Sequence, residues 1–403
     1  MTRAPSPVPV AESAIRPDGD RRDGGHLLRL PEQPLLRHLV LMVFGAGLLY
    51  LLTQSLSAYN NFQVGEIGAF AIALAGLSVL TGQNGQISLG HGALMAIGAY
   101  TVALLMVHTH LNLVVELAIA TLVTTAVGVV VGVPAARLGG AYLAGVTLLL
   151  ALTVPLLAAQ YGSIFGGEQG LTTTPPSAPG TINPERWLAW IQLAAALVVM
   201  VLLGNLVRSR FGRAFRAVRD DDVAASLAGI HVTRTKVLAF SVSAGCAGLG
   251  GALLVLSTGV VNTGEFPLTL SIELLAGMVI GGAGTLVGAW WGAIALVYVP
   301  QWSTSLSSRL SLGTTVAAYL ADALFGAALI VVILAAPSGI QGSLRRLAHG
   351  IAAATTGRAS PPNPPAALAR LLRSADVPEG TRSSSDASTR SRDRSPDQVA
   401  TKE

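Results

Sequence analysis

The chain has 403 residues, 51% of them hydrophobic and only 12% charged, with a formal net charge of +5 and a mean hydropathy of +0.59. Soluble domains are about a quarter charged, so half that fraction excludes an ordinary water-soluble globule and points to lipid as the solvent. The 45 glycines show no period of three, which excludes collagen, and a single cysteine, Cys246, excludes disulfide frameworks and cysteine metal sites.

Residues 1–34, rich in Pro, Arg and Asp, cannot bury a core and are expected to form a disordered tail. No early apolar run with a small-residue cleavage site is apparent, so no signal peptide is expected. Apolar segments follow at 38–54, 63–80, 88–107, 113–133, 141–159, 187–207, 236–258, 270–282, 285–300 and 316–336. Most approach the roughly 20 residues needed to cross a hydrocarbon core about 30 Å thick. The expected fold is therefore all-α and polytopic, with about ten transmembrane helices, or eight to ten because "GMVIGGAGTLVGAWWGAIALVYV" at 277–299 reads equally as two short spans, a broken helix or a re-entrant hairpin. A transmembrane domain would cover 35–345, and 346–403 would be a second disordered tail. "LAG" recurs at 74–76 and 275–277, each time before a glycine-rich break, an echo that a duplicated unit and chance both explain.

Basic residues set membrane orientation. With the N-terminus inside, one side holds Arg29, Arg37, Arg137, Arg208, Arg210, Arg213, Arg216, Arg219, Arg234, Lys236, Arg345 and Arg346, and the other only Arg186 and Arg309. The expected location is the plasma (inner) membrane with both termini cytoplasmic, and the positive charge belongs to topology rather than to nucleic acid.

The loop 208–236 carries more charge than topology requires. In "RSRFGRAFRAVRDDD" at 208–222, Phe211, Phe215 and Val218 fall at i, i+4 and i+7, one face of a helix. Such a stripe suits a membrane surface, a groove on another protein, or a plain topological anchor; the run Asp220, Asp221, Asp222 disfavours anionic lipid. With "VAASLAGIHVTRTKVLAFSVSA" at 223–244, the stretch resembles the cytoplasmic loop of branched-chain amino acid ABC transporter permeases of the LivM type. "GQISLGHGALMAIGAYTVALL" at 85–105, "SIELLAGMVIGGAGTLVGA" at 271–289 and "APSGIQG" at 336–342 resemble further motifs of that family, so the likeness runs over about 38–345. Two positions depart from it: Val223 stands where the loop motif has Glu, and Ser78 where the family has Asn.

The resemblance implies a permease subunit of an ATP-driven importer, paired with a second permease, two ATP-binding subunits and an external solute-binding protein, in contact with the lipid bilayer. Relatives of this architecture carrying urea, amides or other amino acids keep the substrate open. It also implies that Phe211, Arg213, Phe215, Arg216, Arg219, Ala224, Ala225 and Gly229 couple to the ATPase, and that the outer loop 160–186 offers a docking surface. The energy source is readable from the residues themselves. A phosphate-cradling loop ends in Gly-Lys-Ser/Thr, and the two lysines, Lys236 and Lys402, both follow threonine. Nucleotide hydrolysis is expected on a separate chain, with no catalytic residue, metal or cofactor on this one.

Ionisable groups inside spans are costly and face a cavity or partner; here they are Glu66, His91, Glu116, Glu273 and Asp322. The candidate pathway or hinge set is Gln83, Gln86, Ser88, Gly90, His91, Ser271, Glu273, Gly282 and Gly284, with helix packing as the competing account of "TGQNGQISLGHG". An ion-coupled carrier working alone through Glu66, Glu273 or Asp322, and a non-transporting scaffold or enzyme, are the readings from other classes.

Overall fold

The computed structural model describes residues 47, 53–109, 111–138, 141–310 and 339–356, with short stretches between 319 and 334. The chain divides into two compact units, Met1–Arg345 and Arg346–Glu403. The helices are α1 Ala58–Leu77, α2 His91–His108, α3 Leu113–Leu138, α4 Ala141–Gln160, the single turn α5 Gly162–Phe165, α6 Pro184–Arg208, α7 Arg210–Asp220, α8 Asp222–Leu227, α9 Val232–Thr258, α10 Leu268–Gly281, α11 Leu286–Arg309 and α12 Gly339–Thr356. A π turn, Ser78–Gln83, extends α1. Strands β1 Leu171–Thr172 and β2 Val260–Val261 pair antiparallel.

Helix ends follow local chemistry. Ser57 accepts from Asn60 N at 3.3 Å to start α1. Asn183 accepts from Glu185 N at 3.1 Å, with Pro184 opening α6. Gly259, at φ +68°, closes α9 in the left-handed conformation that glycine adopts without strain.

Among the described residues six helical stretches are long and apolar enough to cross a membrane: Ala58–Gln83, His91–His108, Leu113–Arg137, Tyr142–Gln160, Pro184–Arg208 and Val232–Thr258. They coincide with six of the ten expected segments. The expected 270–300 pair is a hairpin of unequal limbs. α10, at 14 residues, is about 21 Å long and too short to cross, whereas α11, at 24 residues, is about 36 Å long. Most of 38–54 and 316–336, Asp322 and residues 1–34 lie outside the described residues. Residues 346–356, expected as the start of a disordered tail, are instead helical as the end of α12; this Ala-rich stretch has the residues that favour helix.

Helix α9 is the centre of the first unit, packed against α1, α2 and α3, while α6 and α11 cover α1. The crossings are close because the residues are small. A methyl group on Gly98 would run into the carbonyl of Gly248, and one on Gly251 into the carbonyl of Met95. With no hydrophobic effect between helices in lipid, this close approach is the source of attraction. The α10–α11 seam repeats it, Gly277 lying against Gly292 and Gly281 against Gly288.

Candidate functional site: a junction at the α7 end

Helix α7 begins at a tight corner. Ser209 accepts from Phe211 N at 3.1 Å and donates to Leu206 O at 2.6 Å, and Gly212 sits so close to the Val207 carbonyl that any side chain would collide with it. The apolar stripe expected to seek a partner finds much of it within the chain. Phe215 and Val218 are buried against the bundle, at 0% and 3% exposure, while Phe211 is 40% exposed and carries the Arg210 guanidinium 5.0 Å above its ring. Burying a side chain such as Phe215 supplies about 1.5–3 kcal/mol, enough to fix the face that α7 turns inward.

That face places two arginines at the end of α1. Arg219 donates to the carbonyl of Gly82 at 2.6 Å. Arg216 donates to Gln83 Oε1 and to Val207 O, both at 3.2 Å. Gln83 in turn donates from Nε2 to the carbonyl of Gly284 at 2.6 Å. The carbonyls that a helix end leaves without partners are thus capped by side chains from elsewhere in the chain. Around them the backbone is packed without room for a single methyl: Gly82 touches Gly284, and Gly339 touches Gly282. Gly284, at φ +80°, and Gly282, at φ +120°, form the α10–α11 turn. Trp291 donates to Gln341 Oε1 at 3.1 Å beside it. Four stretches far apart in sequence therefore meet at one point: the end of α1, the arginine helix, the α10–α11 turn and the start of α12.

Beyond the π turn the chain runs irregularly to α2, and several of its polar groups find partners within the chain, although the buried Asn84 Nδ2 does not. Thr81 donates to Gln86 O at 2.9 Å, and Gln86 donates to Asn84 and, at 3.1 Å, to Lys236 O at the start of α9. Thr147 of α4 accepts from Leu89 N, and Ser271 of α10 accepts from Gly92 N, each at 3.0 Å. Gly90 lies against the Thr147 carbonyl, where a Cβ would come within 2.5 Å. His91 is fully buried, with Nε2 2.9 Å from Ala73 O. Ser88 and Ser271 are also buried, and Glu273 is half-buried. Non-helical backbone at membrane depth survives only beside protein or water, and here protein supplies the partners. An open cleft of about 650 Å³ lies between this segment and α7, lined by Asn84, Gln86, Ala135, Leu143, Arg219 and the aspartates 220–222 among others.

The aspartate run has a structural use. Asp221 Oδ1 accepts from Val223 N at 2.7 Å and Ala224 N at 3.0 Å, capping α8, and Asp222 pairs with Lys236 at 2.5 Å. Helix α8 then projects. Ala225 is buried, Ala224 exposed, and Val223 and Leu227 stand 68% and 84% exposed. Gly229, at φ +83°, ends the helix with open space around it. Arg213 is exposed on α7. The residues expected to couple thus divide into Phe215, Arg216, Arg219 and Ala225 turned toward the chain itself, and Phe211, Arg213, Ala224 and Gly229 turned outward.

At the opposite end the loop after α4 is folded back. β1–β2 ties it to the loop 259–267, Thr173 N donates to Gly259 O at 2.8 Å, and Phe165 packs edge-on against Tyr100 with centroids 5.3 Å apart. Burial pushes the Glu265 carboxyl above the usual carboxylate range, against a backbone N–H of Asn262 that favours its charged form. Glu66 is half-buried on α1, and Glu116, 4% exposed, opens α3; neither belongs to the junction.

The family profile described as "Branched-chain amino acid transport system / permease component" matches residues 62–333, a stretch that runs from within α1 through α11 and holds the junction apart from the start of α12. The chain belongs to that family. This permease is 34% identical over 247 residues to the high-affinity branched-chain amino acid transport system permease protein LivM of Salmonella typhimurium and to that of Escherichia coli, across 55% of its own length and 58% of theirs. It is 29% identical over 181 residues to the corresponding LivH protein of Salmonella typhimurium, across 45% of its length and 54% of that relative's. The alignments therefore span little more than half of these relatives. No solved structure matches.

Some participants carried no signal in the sequence. Thr147 is one hydroxyl in a long apolar run, and the Val207 and Gly284 carbonyls belong to the backbone, which sequence does not distinguish.

Proposed function

We propose that this permease is the membrane subunit of an ATP-driven importer of branched-chain amino acids, its α7 end in the cytoplasm. One observation carries the reading: α7 is bonded into the membrane domain along one face, while the helix that follows it, α8, offers exposed Val223 and Leu227 at its tip. A rigid arm with a bare apolar end suits a groove on another protein. The one-sided arginines support a cytoplasmic location for that arm. The absence of any Gly-Lys-Ser/Thr from the sequence supports a reading in which two separate ATP-binding subunits hold the nucleotide, with ATP their cofactor rather than this chain's.

The mechanism follows from the arm. Movement of an ATPase holding α8 shifts α7, and α7 is fastened to the end of α1 and, through it, to the α10–α11 turn. Those are the places where the backbone is not helical and can hinge. Substrate affinity must differ between the outward- and inward-open states for the movement to do work. Likeness to both LivM and LivH relatives supports a paired second permease. The folded loops 161–183 and 259–267 would receive an external solute-binding protein at the opposite face.

Leu227→Asp tests the reading. In cells supplying two ATPases and a binding protein, the variant should insert normally, lose co-purification with the ATPase, and lower leucine uptake at least tenfold. Uptake by the unaltered protein that survives ATP depletion and collapses with the proton gradient would instead mean an ion-coupled carrier, with Glu66 or Glu273 as the proton site.

A further inference from the structure

We infer that Gln83 is a positioning residue, a two-armed relay that makes α7, the end of α1 and the α10–α11 turn move as one body. The inference deepens the importer reading and rests on it for its transport consequence, though not for its geometry. A primary amide accepts through one atom and donates through another, so its two functions can face different partners. Both functions are used here. Oε1 can only accept, and it faces the Arg216 guanidinium at 3.2 Å; Nε2 can only donate, and it faces the Gly284 carbonyl at 2.6 Å. The orientation of the amide is therefore fixed by its partners.

No other described hydrogen bond gives α7 so direct a path to that turn. Arg219 reaches Gly82, also on the π turn, and Arg216 reaches back to Val207 at the end of its own preceding helix. Gly82, packed on Gly284 without space for a methyl group, holds the two backbones at the spacing the amide bridges. A push on α7 thus reaches the α10–α11 turn through one side chain, about 200 residues away from it in sequence.

The two arms can be separated chemically. Gln83→Glu keeps the acceptor, now charged and so a stronger partner for Arg216, but replaces the donor with a second anionic oxygen facing the Gly284 carbonyl. Gln83→Met removes both arms at similar volume. Arg216→Ala removes only the α7 arm and serves if either Gln83 variant fails to insert.

The measurements are amide exchange on the purified full chain in nanodiscs and, in the assembled transporter, leucine moved per ATP hydrolysed. In Gln83→Glu, exchange should rise at least fivefold at 282–286 and stay within twofold of the unaltered protein across 210–220, with transport per ATP falling at least tenfold. Gln83→Met should loosen 282–286 likewise and also raise exchange at 213–220; Arg216→Ala should raise exchange at 210–220 and lower transport per ATP. A helix end that Gln83 merely caps would lose protection only at 78–86 and leave the transport ratio unchanged, which would overturn the relay. Unaltered exchange at 282–286 in Gln83→Glu overturns it whatever drives transport. Transport by the unaltered protein that needs no ATP would remove the importer reading while leaving the exchange result to decide the relay.

Discussion

Helices α9 and α4 are both apolar spans of this permease, and the more apolar of the two is the barer. The most apolar stretch of α4 has a mean hydropathy of 2.1 and is 22% buried in the protein; that of α9 has 1.8 and is 78% buried. In water the order would be reversed. In lipid, bulky Leu and Val are satisfied by acyl chains, while contact with other helices selects Gly, Ala, Ser and Thr, which bring backbones together. The glycine-rich helix with the lower hydropathy is therefore the core, and the leucine-rich one is the rim.

Three substitutions would break or sharpen that contrast. Gly248→Val on α9 should do the most damage. Gly248 lies against both Gly98 and Thr124, and a methyl group there already overlaps the Thr124 hydroxyl. We expect a loss of about 3 kcal/mol or more, read as a collapse in folded yield and in thermal midpoint in detergent. Gln192→Leu comes next. This buried amide on α6 donates to Leu253 O at 2.7 Å and to Ser257 Oγ at 2.5 Å. Removing it takes this additional donor from both acceptors and should lower stability by about 1 kcal/mol, visible as a smaller shift of the same midpoint. Leu152→Ala on the rim of α4, 52% exposed, should change stability by less than about 0.5 kcal/mol. A loss as large as that of the α9 variant would show that α4 is covered by protein rather than by lipid.

The same contrast explains what was legible in the sequence. Apolar runs located the spans because crossing lipid is a property of composition and length alone. The arginine helix was visible because Phe211, Phe215 and Val218 repeat with helical period. Which way that stripe faced was not visible. Period fixes a face but not its partner, and Phe215 turned out to be buried in its own chain. Nor could the junction be read. Gln83 and Gly284 are separated by 201 positions, Arg219 and Gly82 by 137, and the bonds to Gly82, Val207 and Gly284 run to carbonyls of a kind that every residue possesses. The glycines of the three outlying motifs could be marked as special, but only the fold shows that Gly82, Gly284 and Gly339 are special for one shared reason, the space they leave to one another.

Cys246 gives the core an additional use. The only thiol in the chain is shut between α1 and α9, with Gly76 so near that a methyl there would come within 2.5 Å of the cysteine Cβ. A maleimide cannot reach it without parting those two helices. The native protein therefore carries a silent label site that reports core opening, and any cysteine introduced on the arginine arm would be the single one to react while the core stays closed.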